Sequence, residues 1–303
     1  MRRDGPWRRP TFFPDRVTRP TILLTGATGQ LGYEIARLLP AHGELTALGR
    51  SQLDLADVDA IRATVDAIRP QLIVNAAAYT AVDLAERDEP LAEAINARAP
   101  AVLAEEAKRL GALLIHFSTD YVFDGLATRP YDEQAPTRPL NAYGRSKLHG
   151  EQAIAATGAA AITLRTSWVY ARRGRNFLLT MQRLGREREE LRIVADQFGV
   201  PNWSRQLAEA VAALVAKGLP ALAARAGLYH LSGRGQASWF EFAQAIFGTA
   251  ARPRLVPIES AEYPTPTVRP GFAVLATARL EQAFGIVLPH WRDTLQRCLA
   301  AAD

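Results

Sequence analysis

Residues 21–39 read TILLTGATGQLGYEIARLL: a short apolar run, a turn carrying Gly26, Gly29 and Gly32, and then a helical pattern. The run Thr21–Thr25 predicts a buried strand, and the glycines fall where that strand hands over to a helix. Glycine allows a tight turn and lets backbone amides approach a bulky anion, while the helix N-terminus supplies partial positive charge for it. A strand, a three-glycine turn and a helix in this order predict a βα unit that binds the pyrophosphate of a dinucleotide. The spacing is GxxGxxG, and a plain strand-to-helix turn is the competing reading of the glycines alone.

The rest of the first half extends the pattern. Apolar runs at Leu45–Leu48, Gln71–Asn75, Leu113–Ser118 and Ala160–Thr166 predict further strands, separated by helical segments. That alternation implies βαβ units, a parallel sheet covered on both faces and a Rossmann-type doubly wound α/β fold. After about Ser167 the pattern changes, with Pro and Gly clustered in FGVPNW, SGRGQ and EYPTPTVRPG. The expected organisation is a basic, Pro-rich extension at 1–20, a nucleotide-binding domain at 21–167 and a smaller substrate-binding lobe made mostly of 168–303. A helix near 204–217 is expected to pack back on the first domain.

Composition narrows the function classes. The 303 residues are 48% hydrophobic and 22% charged, the balance of a globular protein. No apolar run approaches the roughly 20 residues that span a bilayer. The net charge of +5 is concentrated at the start, where Arg2, Arg3, Arg8, Arg9, Arg16 and Arg19 stand against Asp4 and Asp15. The remainder is almost neutral, which argues against a nucleic-acid partner. One cysteine, Cys298, excludes an internal disulfide and fits a cytoplasmic location.

Only three lysines occur, Lys108, Lys147 and Lys217. Lys147 follows Tyr143 by four residues in NAYGRSKLHG, so a helix there puts both on one face. A free phenol titrates near 10, too high for efficient proton exchange at neutral pH. A nearby ammonium favours the phenolate and lowers that value, which predicts that Lys147 tunes Tyr143; a chance pair on an exposed helix is the alternative. LLIHFSTDYVFDG adds an apolar strand ending in Ser118, Thr119 and Asp120, at the edge where doubly wound sheets bind ligands. Either Ser118 or Thr119 could hydrogen-bond the reacting oxygen. Near the end of the second strand Arg50 favours a 2′-phosphate and hence NADPH, with a plain surface arginine as the competing reading, while Asp54 suits NADH.

With TGATGQLG, STDYVFDG and YGRSK in this order, the sequence resembles the extended short-chain dehydrogenase/reductases and, within them, the dTDP-4-dehydrorhamnose reductase family. NAAAYTAVDLAE, RTSWVYARRGRNF, VADQFGVPNWSRQLAE, GLYHLSGRGQASWFEFA and LPHWRDTL carry the resemblance to Cys298. It implies NAD(P)H-dependent reduction of the C4 ketone of a nucleotide-linked deoxysugar. Tyr143 would be the general acid, Lys147 its tuning partner and ribose ligand, and Thr119 a hydrogen-bond donor at the carbonyl, with Asp120 and Trp168 against the substrate. Gly26, Gly29, Gln30, Leu31 and Gly32 would hold the pyrophosphate, Arg50, Asp54 and Leu55 the adenosine, and Ala78, Tyr79 and Thr80 a loop beside the cofactor. A homodimer is a further implication, and some relatives dimerise around Mg²⁺ held by glutamates. Glu34 matches one such position but reads better as a lone surface residue. Leu84, Ala276 and the VPNWS stretch depart from the family pattern. The alternatives are another nucleotide-sugar reductase or epimerase, and a non-catalytic NADP-binding regulatory subunit. Tyr121 after Asp120 argues against a dehydratase, which places a glutamate there.

Overall fold

The computed structural model describes residues 19–249 and 252–301. The expected N-terminal extension therefore lies outside the described residues, apart from Arg19 and Pro20. Six strands form one parallel sheet: β1 (Thr21–Thr25), β2 (Glu44–Leu48), β3 (Leu72–Asn75), β4 (Leu113–Thr119), β5 (Ala161–Thr166) and β6 (Gly227–His230), in the spatial order β6-β5-β4-β3-β1-β2. The doubly wound sheet expected from the alternating runs is present, with strand ends within a residue of those read from the sequence. β6 is the addition. It has four residues and begins at a glycine with φ of 156°, inside a stretch whose Pro and Gly content reads as loop.

Alternation along each strand divides the core between the two faces. Ile22, Leu24, Leu72, Val74, Ile115, Ile162 and Leu164 point to one side, where they meet α1 (Gln30–Leu38) and its Leu31 and Ile35. Leu23, Ile73 and Leu114 point to the other, against α2 (Val58–Ile68), α3 (Ala99–Leu110) and α4 (Ala142–Thr157). A fifth helix, α5 (Ser204–Val215), places Leu207, Val211 and Leu214 in the α1 layer. Each such side chain contributes about 1.5–3 kcal/mol by leaving water, so α5 is held to the six-stranded sheet although the chain reaches it late.

Leu222, Leu280, Phe284 and Leu288 also join the α1 layer, and most other segments after Ser167 build a second core. It gathers Leu178, Met181, Phe242, Trp291 and Leu295 from three helices, Leu191 and Ile193 from the parallel pair Glu190–Val194 with Arg254–Ile258, and Tyr170 and Trp203 from the short parallel pair Val169–Tyr170 with Asn202–Trp203. Among the described residues no helix is long and apolar enough to cross a membrane.

The sheet positions the site through its winding. From β1 the chain crosses to β2 on one side, and from β3 it proceeds to β4 on the other, so a crevice opens above the C-terminal ends of β1 and β3. The glycine turn borders that crevice on one side, and the end of β4 with the start of α4 borders it on the other.

Candidate active site

Backbone geometry makes the glycine turn a cradle. Gly26 has φ of 73°, and a Cβ there would lie 2.6 Å from the backbone nitrogen of Ala77. A Cβ on Gly32 would stand 2.1 Å from the Gly26 carbonyl oxygen, so α1 packs directly on the turn. The Ala27 N–H donates to Leu48 O at 3.0 Å, which ties the turn to the end of β2. Gly29 is the N-cap of α1 and offers no side-chain oxygen, so the orphan N–H groups of the first turn face the crevice without an internal cap. These features fit a dinucleotide pyrophosphate. The Leu31 side chain belongs to the core, so only its backbone faces the crevice. Gln30 accepts a hydrogen bond from Asn176 Nδ2 at 2.8 Å, which joins the turn to the second core.

Beyond β2, Arg50 is exposed and makes no ion pair among the described residues, while the Asp54 carboxylate accepts from Ala56 N at 3.0 Å and Leu55 is buried. Across the crevice, Ala78, Tyr79 and Thr80 follow β3. Asn96 pins this loop: its Oδ1 accepts from Tyr79 N at 2.8 Å, and its Nδ2 donates to Tyr79 O and to Ser146 Oγ, both at 3.0 Å. Asn96 sits in a single π-helical turn, Ala94–Arg98, a local geometry common at functional sites.

Tyr143 stands in the first turn of α4. The Asn141 side chain caps that helix by accepting from Gly144 N at 2.8 Å. Gly144 is required by contact, because a Cβ would lie 2.2 Å from Tyr121 O. The helix thereby seats Tyr143 against the turn Asp120–Val122, with the Tyr121 ring edge-on at 5.5 Å. Burial pushes the Tyr143 phenol up to about 12, and the Thr119 hydroxyl pulls the other way. Lys147 points away from the phenol. Its Nζ is turned to β4, donating to Phe117 O at 2.6 Å and lying 3.2 Å from His116 Nε2. Burial lowers the lysine to about 8.

The two candidate hydroxyls separate. Ser118 Oγ donates to Glu151 Oε1 at 2.5 Å, joining the buried pair Arg165–Glu151, and so faces away from Tyr143. Thr119 lies on the Tyr143 side and donates to Asp120 Oδ1 at 3.0 Å. Asp120 is almost fully buried and its Oδ2 has no partner among the described residues; burial raises its carboxyl to about 7. Trp168, just past β5, has φ of 43° and stacks on Trp239 with centroids 3.5 Å apart and planes 5° apart. Gly199 makes room for it, since a Cβ there would meet Trp168 Cε2 at 2.5 Å.

A family model described as the RmlD substrate binding domain matches residues 20–303. The chain belongs to that family. Among curated members, it is similar to the dTDP-4-dehydrorhamnose reductase of Burkholderia thailandensis, at 48% identity over 92% of this chain and 97% of the relative. The enzyme of the same name from Escherichia coli K12 is 42% identical over 92% of this chain and 96% of its own length. Its fold is similar to that of the Bacillus anthracis dTDP-4-dehydrorhamnose reductase solved in complex with NADP, with a TM-score of 0.87 and 36% identity over 93% of this chain and 99% of that one.

Against the expectations drawn for this RmlD-family chain, Glu34 is a correction. It is buried, and its Oε2 accepts from Arg205 Nε at 3.0 Å. The arginine lies on α5, which packs across α1, so the carboxylate meets a fixed cation instead of water. Among the described residues no cluster of three or more acidic, histidine or cysteine side chains could hold a metal. The unusual VPNWS stretch is structural too: Asn202 Nδ2 donates to Ser167 O and Val200 O at 2.8 and 2.9 Å, and its Oδ1 accepts from Gly233 N at 2.7 Å. It anchors the residue just before Trp168. Leu84 is half-exposed. Sequence reasoning passed over Asn75, Asn96, Gly199 and Trp239 and took His116 as structural; the visible signal for Asn75 and His116 is a polar residue at or near the end of an apolar strand run.

Proposed function

We propose that this chain reduces the C4 ketone of dTDP-4-dehydro-β-L-rhamnose to dTDP-β-L-rhamnose, with NADPH favoured over NADH. The single observation behind this reading is the convergence of a protonated phenol, a hydroxyl and a buried carboxyl at the end of β4, across the crevice from a glycine cradle with free amide groups. When bound, the nicotinamide supplies the hydride. Gly26, Gly29, Gln30, Leu31 and Gly32 hold the pyrophosphate through backbone amides, and exposed Arg50 meets a 2′-phosphate while Asp54 is occupied by its own turn. Leu55, Ala78, Tyr79 and Thr80 close around the nucleoside side.

Tyr143 is the general acid. Burial, which raises it to about 12, makes the phenol a weaker acid than a free one but keeps it protonated at neutral pH, and the developing C4 alkoxide is more basic than the phenolate, so the proton still passes to the sugar oxygen. Thr119 hydrogen-bonds the same oxygen. Lys147 binds the nicotinamide ribose. Asp120 and Trp168 hold the sugar, the carboxyl through its unpaired oxygen. Residues 21–167 with α5 form the cofactor half, and most of 168–303 forms the substrate lobe, in a cytoplasmic enzyme. The test follows NADPH absorbance with the 4-keto sugar nucleotide. Tyr143→Phe should lose on the order of a hundredfold or more in turnover while keeping cofactor affinity; turnover close to wild type would remove the tyrosine from its role.

A further inference from the structure

A row of buried polar groups crosses the sheet beneath the crevice. Strand register places Thr25 beside Asn75 and Asn75 beside His116 on β1, β3 and β4. Thr25 Oγ donates to Asn75 Oδ1 at 2.7 Å, Asn75 Nδ2 lies 3.1 Å from His116 Nδ1, and His116 Nε2 lies 3.2 Å from Lys147 Nζ. All four side chains are buried.

The direction of these hydrogen bonds is fixed at one end by the backbone. Ala77 N–H donates to Asn75 Oδ1 at 3.2 Å. A main-chain donor cannot reverse, so the amide oxygen faces Ala77 and the NH₂ faces His116. His116 Nδ1 must then accept, and a neutral imidazole with a bare Nδ1 carries its proton on Nε2. That N–H points at Lys147 Nζ. An ammonium has three donors and no acceptor, so the contact is a hydrogen bond only when the lysine is an amine with its lone pair turned to His116. The lysine's other hydrogen bond, donated to Phe117 O, is available to an amine as well.

We propose that His116 is a positioning residue that stabilises the uncharged amine form of Lys147 against the ammonium in the cofactor-free protein, by presenting Nε2–H to the lysine's lone pair. The functional weight of this rests on the reading of Lys147 as part of the reductase site, but the tautomer and the charge belong to the protein alone. The charged neighbours agree with it. Burial is the main influence lowering the lysine; Glu151, one turn along α4, opposes it. That carboxylate is already engaged by Arg165 from β5 and by Ser118 from β4. The groups facing His116 are Asn75 from β3 and Lys147 itself, and its own protonation is strongly disfavoured by burial. Lys147 thus acquires its charge close to neutrality instead of carrying it throughout.

The three-lysine composition makes the test direct. Selective ¹³C,¹⁵N-lysine labelling gives three side-chain signals in the cofactor-free protein, with exposed Lys108 and Lys217 as internal references. Lys147 is expected to titrate well below both. His116→Phe removes the donor to the neutral amine while leaving the site dry, so the Lys147 midpoint should rise by about one pH unit, a tenfold change in proton affinity. If His116 instead accepted from an ammonium, the same variant would lower the midpoint; a fall, or no movement, overturns the proposal. Should the variant fail to fold, ¹⁵N-histidine spectra of wild type decide the matter. A pyrrole-type Nε2 with a pyridine-type Nδ1 at His116 supports it, and the reverse pattern refutes it. Neither measurement needs turnover, so a failure here is distinct from a failure of the proposed reaction.

Discussion

Gly32→Ala probes how closely α1 must approach the glycine turn. The added Cβ would sit 2.1 Å from Gly26 O, 2.7 Å from Gly26 C and 3.1 Å from Ala27 Cα, all backbone atoms that no side-chain rotation can clear. Restoring ordinary contact requires α1 and the turn to separate by about 1 Å, an overpacking strain of about 1–3 kcal/mol. Thermal unfolding should register a loss of several degrees, since about 1 kcal/mol shifts a chain approaching this size by roughly 2–4 °C. The binding effect should be larger in proportion. The amides meant for the pyrophosphate sit on the two pieces being pushed apart, and a misplacement of about 1 Å can cost on the order of a hundredfold. NADPH affinity is measured by calorimetry on folded protein, beside Gly111→Ala as control. Gly111 also has positive φ, 67°, but a Cβ there meets nothing within 4 Å, so it carries backbone strain without blocking the cradle. Unchanged NADPH affinity in Gly32→Ala, or an equal loss in the Gly111→Ala control, would refute the cradle argument.

Three further perturbations test other parts of the site. Asp120 titrates higher folded than unfolded, so its favourable contribution is complete below about pH 4 and is lost as pH rises through about 7. Asp120→Asn should therefore exceed wild type in urea stability at pH 8 by on the order of 2–4 kcal/mol and lose that advantage near pH 4; a gap independent of pH would count against the buried, unpaired carboxyl. Because Glu34 is neutralised by Arg205, EDTA should leave both activity and thermal midpoint unchanged, and a drop reversed by Mg²⁺ would contradict this. Glu151→Ala strands the buried Arg165 and should cost about 3–5 kcal/mol in denaturant unfolding, whereas the paired change Arg165→Met with Glu151→Leu should recover most of it; equal losses in both would disprove a compensated pair.

The parts legible in the sequence are those whose chemistry is local. Gly26, Gly29 and Gly32 mark a backbone demand within seven residues, and Tyr143 and Lys147 share a helix face by spacing alone. Strand limits were readable because parallel strands buried on both faces are continuous apolar runs. The parts that were not legible depend on register between distant segments. Glu34 reads as a surface residue until α5 brings Arg205 across α1, 171 positions later in the chain. The role of Lys147 is the clearest case. Four-residue spacing predicts a cation beside a phenol, but spacing cannot tell where the end of a flexible side chain points. That is set by β3 and β4, whose register puts Asn75 beside His116 and whose backbone at Ala77 orients the amide. A single polar residue near the end of LIVN or LLIH looks like a minor interruption of an apolar strand. Aligned across three strands, the same residues become a directional hydrogen-bonded row, and its direction decides whether the lysine at its end meets a donor or an acceptor.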